Sequence, residues 1–175
     1  MKARIICGTL AIAVIPTALG LLHARTSRTE RSSSPGIAAV ANCGPRTQVS
    51  SGEFRAILQT IRKAWLEADA ERAVGCFTPD AILSLPPSVG VSGREGLLKI
   101  FGAGHDTSPP KSIEWHHVVF DSDQQLGAAE FTMERRVPNH GVVIIKFSKG
   151  LISNWRQYSI ASDLSWEKFI GMNSF

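Results

Sequence analysis

Hydrophobic positions along the chain fall into two regimes, one with helical spacing and one with alternation. Phe54, Ile57, Leu58, Ile61 and Trp65 recur every three or four residues, so 53–67 is predicted as an amphipathic helix. A second, shorter helix is expected around Asp69–Phe77, with Ala70, Ala73, Val74 and Phe77 on one side and Pro79 as its stop. Ala81–Leu85 reads as a short strand ended by Pro86-Pro87. Ser92-Gly93-Arg94-Glu95 has the capping-box pattern of a helix start, and the helix it opens carries Leu97, Leu98, Ile100 and Phe101 before Gly102.

Beyond Pro109-Pro110 the period changes. Four strands are predicted at about 113–121, 125–136, 141–148 and 151–160, separated by turn-forming residues, and a short helix Leu164–Ile170 closes at Gly171. The order is helix, helix, strand, helix, then an antiparallel meander. This is an α+β arrangement, a curved, mostly antiparallel sheet wrapped around three helices.

Alternation sorts the strand residues between two faces. Trp115, His117 and Val119 share one track, Ala129, Phe131 and Met133 a second, and Val143, Ile145 and Phe147 a third. Together they make a nearly apolar inner wall. The opposite face takes His116, Glu130, Thr132 and Glu134.

The N-terminal third differs in kind. Lys2 and Arg4 precede an apolar stretch from Ile5 to Leu22, the pattern of an export signal over 1–24 or, being 18 residues long, of a membrane anchor. Either places the globular part outside the cytoplasm. Residues 25–52, rich in Ser, Arg, Thr, Gly and Pro, read as a flexible linker, and 53–175 as the folded domain. Of the three cysteines Cys7 falls in the signal, and export would permit Cys43 to pair with Cys76. A free, buried Cys76 is the expected state.

The net charge of +4 hints at an anionic partner until it is located. Residues 1–52 hold six basic residues and only Glu30 as an acid, while the remainder holds 13 bases and 14 acids. The folded part therefore has no basic stripe for nucleic acid, which is excluded as a partner. No metal-ligand spacing, phosphate loop or dinucleotide fingerprint appears, so no cofactor or metal is expected.

The helical pair followed by Phe77-Thr78-Pro79-Asp80-Ala81 resembles the nuclear transport factor 2-like superfamily, and within it the SnoaL-like domains. The stretches 127–132, 140–146 and 150–158 and the closing Ser162-Asp163-Leu164-Ser165-Trp166 carry the resemblance. It implies an open cone with an apolar interior, and places Gln157, with Trp155 and Ser153, on the inner track of the last strand. Arg156 and Tyr158 then join the outer face, where Glu130 and Arg156 are expected to form a cross-strand salt bridge. Tyr158 is expected at a homodimer surface, since such domains dimerise through the outer sheet.

The resemblance also tests two chemistries. Limonene epoxide hydrolases need two aspartates and an arginine, where this chain has Gln157, Phe131 and Met133. Ketosteroid isomerases have a base before a proline on the first strand, where this chain has Leu85, with Ser84 beside it as a hydrogen-bond donor. Both assignments are disfavoured.

Three functions stay open. The leading one is an exported module holding a small, largely apolar molecule against Ser84, Trp115, Ala129, Phe131, Met133, Val143, Ile145 and Trp155. The second is an isomerase, cyclase or dehydratase with His117 as general base and Gln157 orienting substrate or water. The third is a homodimeric interaction domain whose cone is filled by its own side chains.

Overall fold

A computed structural model describes residues 43–87, 89–102 and 108–173 of the chain. The expected signal or anchor over 1–24 and most of the expected linker lie outside these residues. Helix α1, Ser51–Leu66, starts where Ser50 and Glu53 cap each other, the Ser50 hydroxyl accepting from the Glu53 amide and the Glu53 carboxylate accepting from the Ser50 amide. Its buried stripe includes Phe54, Ile57, Leu58, Ile61 and Trp65, as the spacing predicts. The short α2, Ala70–Val74, is capped by Asp69, which accepts from the Arg72 amide at 3.0 Å.

Strand β1 runs Phe77–Leu85, starting four residues earlier than its hydrophobic run suggests. Pro79 ends no helix here. It sits in the stretch between Phe77 and Ile82 where pairing to the neighbouring strand is broken, the place in a sheet where a missing N–H costs nothing. A strand that the pattern did not announce, β2 at Val89–Ser92, pairs antiparallel with β1. Helix α3, Gly93–Phe101, follows directly. The capping box expected at Ser92 does not form. Gly93 has a φ of 70°, Ser92 makes no side-chain cap bond, and Glu95 instead pairs with Lys99 at 2.9 Å.

The remaining strands are β3 (Ser112–Asp121), β4 (Leu126–Glu134), β5 (Asn139–Ser148) and β6 (Leu151–Ala161), and α4 spans Trp166–Ile170. The six strands form one open, curved sheet in the order β2-β1-β6-β5-β4-β3, antiparallel throughout except for the parallel pair β1–β6. α1, α2 and α3 supply the other wall of the core, where Trp65, Phe77 and Phe101 meet Trp155 through successive ring contacts. Gly127 of β4 is a close approach: a Cβ there would lie 2.5 Å from the Phe54 ring, which stacks on Phe120 at 4.8 Å.

The linker expectation fails over its last ten residues. Cys43 and Cys76 form a disulfide, so Cys76 is not the free thiol expected, and the bond ties the N-terminal approach to the end of α2. Val49 is buried, and the Gln125 side-chain amide clamps it, accepting from the Val49 N–H at 2.7 Å and donating to its carbonyl at 2.9 Å. Arg46 donates to Glu53 at 2.5 Å, and its backbone N–H to the Lys149 carbonyl. Among the described residues no helix is long and apolar enough to cross a membrane.

Candidate functional site

The inner wall is where alternation put it on β4 and β5, and where the resemblance put Trp155 and Gln157 on β6. Ala129, Phe131 and Met133, Val143, Ile145 and Phe147, and Trp155 with Gln157 all face the helices and are buried. The deep residues fill the cone with their own side chains: Phe131 is 1% exposed and Val143 and Ile145 are fully buried. Two polar groups enter this wall. The Trp155 indole N–H donates to Gln157 Oε1 at 3.4 Å. Trp115, whose ring meets Phe131 edge-on at 6.0 Å, has a buried Nε1 with no hydrogen-bond partner among the described residues. An indole N–H is a donor only, so this one lacks an acceptor.

Arg135 lies over the Trp65 ring, 5.8 Å from its centre, and its Nε–H points to Met133 Sδ at 3.4 Å. Burial pulls its pKa down from the usual guanidinium value.

His117 is not on the inner wall. Trp115 pairs with Phe131 and Val118 with Ala129, so His116 and His117 together lie opposite the single residue Glu130. This β-bulge inserts one residue and reverses the parity of everything beyond it. Val118 and Phe120 turn inward, whereas Val119, expected inside, is 64% exposed. Both histidines bond to outer-face groups of β4: His117 Nδ1 lies 2.7 Å from Glu130 Oε2, and His116 Nε2 lies 2.8 Å from Thr132 Oγ1.

Other placements change with it. Glu130 does not bridge to Arg156, because β5 lies between β4 and β6. Arg156 sits opposite Ile144, and the partner of Glu130 is His117. Ser84 faces outward with Ile82, Asn154 and Arg156 around a cavity, while Leu83 takes the inward position. Ser153 is displaced from the Trp155 track by a second irregularity. Ile152 takes the buried place opposite Phe147, and the Ser153 hydroxyl donates to the Lys146 carbonyl at 3.2 Å.

The outer face holds a polar relay that alternation did not reveal. His140, 1% exposed, lies with Nε2 2.9 Å from the Leu164 carbonyl, which can only accept, so that nitrogen carries a proton. In the neutral ring Nδ1 is then the acceptor for the Thr132 hydroxyl at 2.9 Å, and Thr132 in turn accepts from His116 Nε2–H. Trp166 stacks on His116 at 4.0 Å and Phe169 lies on His140 at 4.6 Å, which fastens α4 to the sheet. Burial, the largest influence, pulls the His116 pKa below its ordinary value. Glu114 and Glu130 oppose it. Two cavities of about 390 Å³ each flank this relay and share Glu130 and Val142. The first is walled by Val119 and Ala128 beside His117, the second by Tyr158 and Ile160 beside Trp166 and Phe169. Among the described residues no cluster of His, Cys, Asp or Glu is set to hold a metal ion.

A family model described as SnoaL-like domain matches residues 57–155. An NTF-2 like protein of unknown function from Burkholderia xenovorans superposes with a TM-score of 0.57 at 20% identity, over 70% of this chain and 95% of the other. A protein of unknown function with a cystatin-like fold from Methylobium petroleophilum gives 0.57 at 18% identity, over 68% of this chain and 83% of the other. The epoxide hydrolase/cyclase-like enzyme SalBIII, described in pyran ring formation in the polyether salinomycin, gives 0.53 at 18% identity, over 62% of this chain and 92% of the other. At these identities the structural neighbours establish the fold. No curated protein matches the chain in sequence.

Proposed function

Since this chain belongs to the SnoaL-like domain family, we propose that it binds a small, largely apolar molecule at the wide end of the cone, outside the cytoplasm. The observation that carries this reading is the buried Trp115 Nε1 without an acceptor, set in an apolar wall. Leaving such a donor unsatisfied costs about 1–3 kcal/mol, which a ligand carbonyl or ether oxygen would recover. We take the rim to be Trp65, Trp115 and Met133, because the deeper Phe131, Val143 and Ile145 are buried in the core. Export is supported by the sequence pattern of 1–24 and by the Cys43–Cys76 disulfide, a bond that oxidising compartments preserve.

The test is native mass spectrometry and calorimetry of the full chain with a cyclic ketone and the hydrocarbon of the same skeleton. The ketone is expected to bind about five- to tenfold more tightly, and Trp115→Phe to abolish that preference while retaining the hydrocarbon. Failure of both compounds to bind overturns the reading.

A second reading is favoured by a separate observation. Val119, Tyr158, Ile160 and Ile82 all expose apolar surface on the outer side of the sheet, as a homodimer interface would. Sedimentation of the full chain across protein concentrations decides it, and a monomer at high concentration removes it. The enzymatic alternative keeps His117 as base only on the outer face, where Glu130 would orient it.

A further inference from the structure

Where β4 ends and the approach to β3 begins, three cations gather. Lys111, Arg135 and Arg136, with Ser108 and Pro109, enclose a cavity of about 300 Å³ that, among the described residues, no carboxylate lines. Glu134, between Met133 and Arg135, is exposed and is not among its walls. Among the described residues none of the three cations is in an ion pair, whereas Arg46, Arg72 and Arg94 each have a glutamate.

Arg135 is partly buried and held by neutral groups alone. One Nη1–H donates to the Ser108 carbonyl at 2.8 Å, Nε–H meets Met133 Sδ, and the face rests on Trp65. A guanidinium has five N–H donors, and these contacts use two. Among the described residues nothing accepts from the other three, on a cation whose rotamer is fixed by packing. That is a preorganised fork of the kind that binds a carboxylate or phosphate through two parallel hydrogen bonds. Arg135, a wall of the cavity, is thus also in contact with Met133 of the inner wall and Trp65 of the core.

We propose that this cavity binds the oxyanion head, carboxylate or phosphate, of the small molecule whose apolar body lies against Trp65, Trp115 and Met133. The proposal rests on the rim-binding reading for the body and on the three cations for the head. The ligand class is therefore an amphipathic acid. Lys111 and Arg136, both exposed, add attraction that salt screens, and Arg135 adds the directed hydrogen bonds.

Calorimetry of the full chain at low salt with octanoate, octyl phosphate, octanol and inorganic phosphate tests it. The better of the two charged amphiphiles is expected to bind at least about tenfold more tightly than octanol, and which one wins identifies the head group. The advantage is expected to shrink in 0.5 M salt, to fall in the Lys111→Ala/Arg136→Ala double variant and to vanish in Arg135→Gln. If Arg135→Gln fails to fold, the exposed double variant still decides. Octanol binding as tightly as the charged amphiphiles overturns the oxyanion site and leaves the rim reading standing. Binding of inorganic phosphate without any octyl compound does the reverse. No binding by any probe overturns both.

Discussion

The two faces of the β3–β4–β5 sheet are built from the same strands yet obey different rules. On the inner face Ala129, Phe131, Val143 and Ile145 keep strict alternation, and each is defined by volume and apolarity. On the outer face each residue is defined by its partner: Glu130 by His117, Thr132 by His116 and His140, and His140 by Leu164. The bulge at His116–His117 is where the two rules meet. It lets both histidines reach polar partners on one face while Trp115 and Val118 stay on the other. Burial tolerates the extra residue because the apolar track resumes at once, with Phe120 stacking on Phe54. A sheet can thus change its outer chemistry without disturbing its core, provided the irregularity is local.

The largest effect that would break this contrast lies in the core. Phe131→Ala is expected to cost about 3–5 kcal/mol, from lost transfer energy and the cavity left behind. Val119→Ala, next to the bulge but outward, is expected within about 0.5 kcal/mol of wild type. Urea unfolding followed by circular dichroism measures both. A large loss at Val119 that grows with protein concentration would mean that the outer face is covered by a second copy.

The parts legible in the sequence are those with a long, clean period. The α1 stripe, the four strands of the meander and the inward residues of β4 and β5 follow from spacings of 3.6 and 2. What was not legible depends on single positions or distant partners. β2 has four residues at the sheet edge and no buried side, so it lacks a hydrophobic signature. The bulge has none either, since two adjacent histidines fit either face. Ser92 to Glu95 matched the capping pattern, but the real box is Ser50 to Glu53, whose linker-like flanks concealed it. The approach of Arg135 to Trp65 joins residues 70 positions apart, which no local pattern encodes.

A smaller effect sharpens the comparison by removing the irregularity itself. Deleting His117 leaves Trp115 opposite Phe131 and Val118 opposite Ala129, with His116 alone facing Glu130. Every inward side chain keeps its face. The cost is expected to be about 1–2 kcal/mol, from the lost His–Glu pair and local twist. Deleting Ala128 from β4, which has no bulge to absorb it, shifts the neighbouring track to solvent and is expected to abolish folding. Soluble yield and thermal melts of the two deletions check the pair. Equal damage from both would show that the extra residue is required by the core.

The smallest effect separates the faces by pH. Burial holds the His116 pKa below its ordinary value of 6.5, so the unfolded chain takes up this proton more readily than the folded one. The associated stability is complete above about 6.5, declines as the pH falls through that value toward the lower folded one, and levels beneath it. The charge arises on a partly buried ring that Trp166 covers and that Thr132 links to His140. α4 rests on those rings through Trp166 and Phe169, so its amides are expected to exchange hydrogen faster at pH 5 than at pH 7.5, after correction for intrinsic rates. The amides of Phe131 and Ile145 belong to the inner track and are expected to stay protected over the same interval. Uniform loss of protection on both faces would show that acid acts on the fold as a whole, and that the relay has no separate role in holding α4.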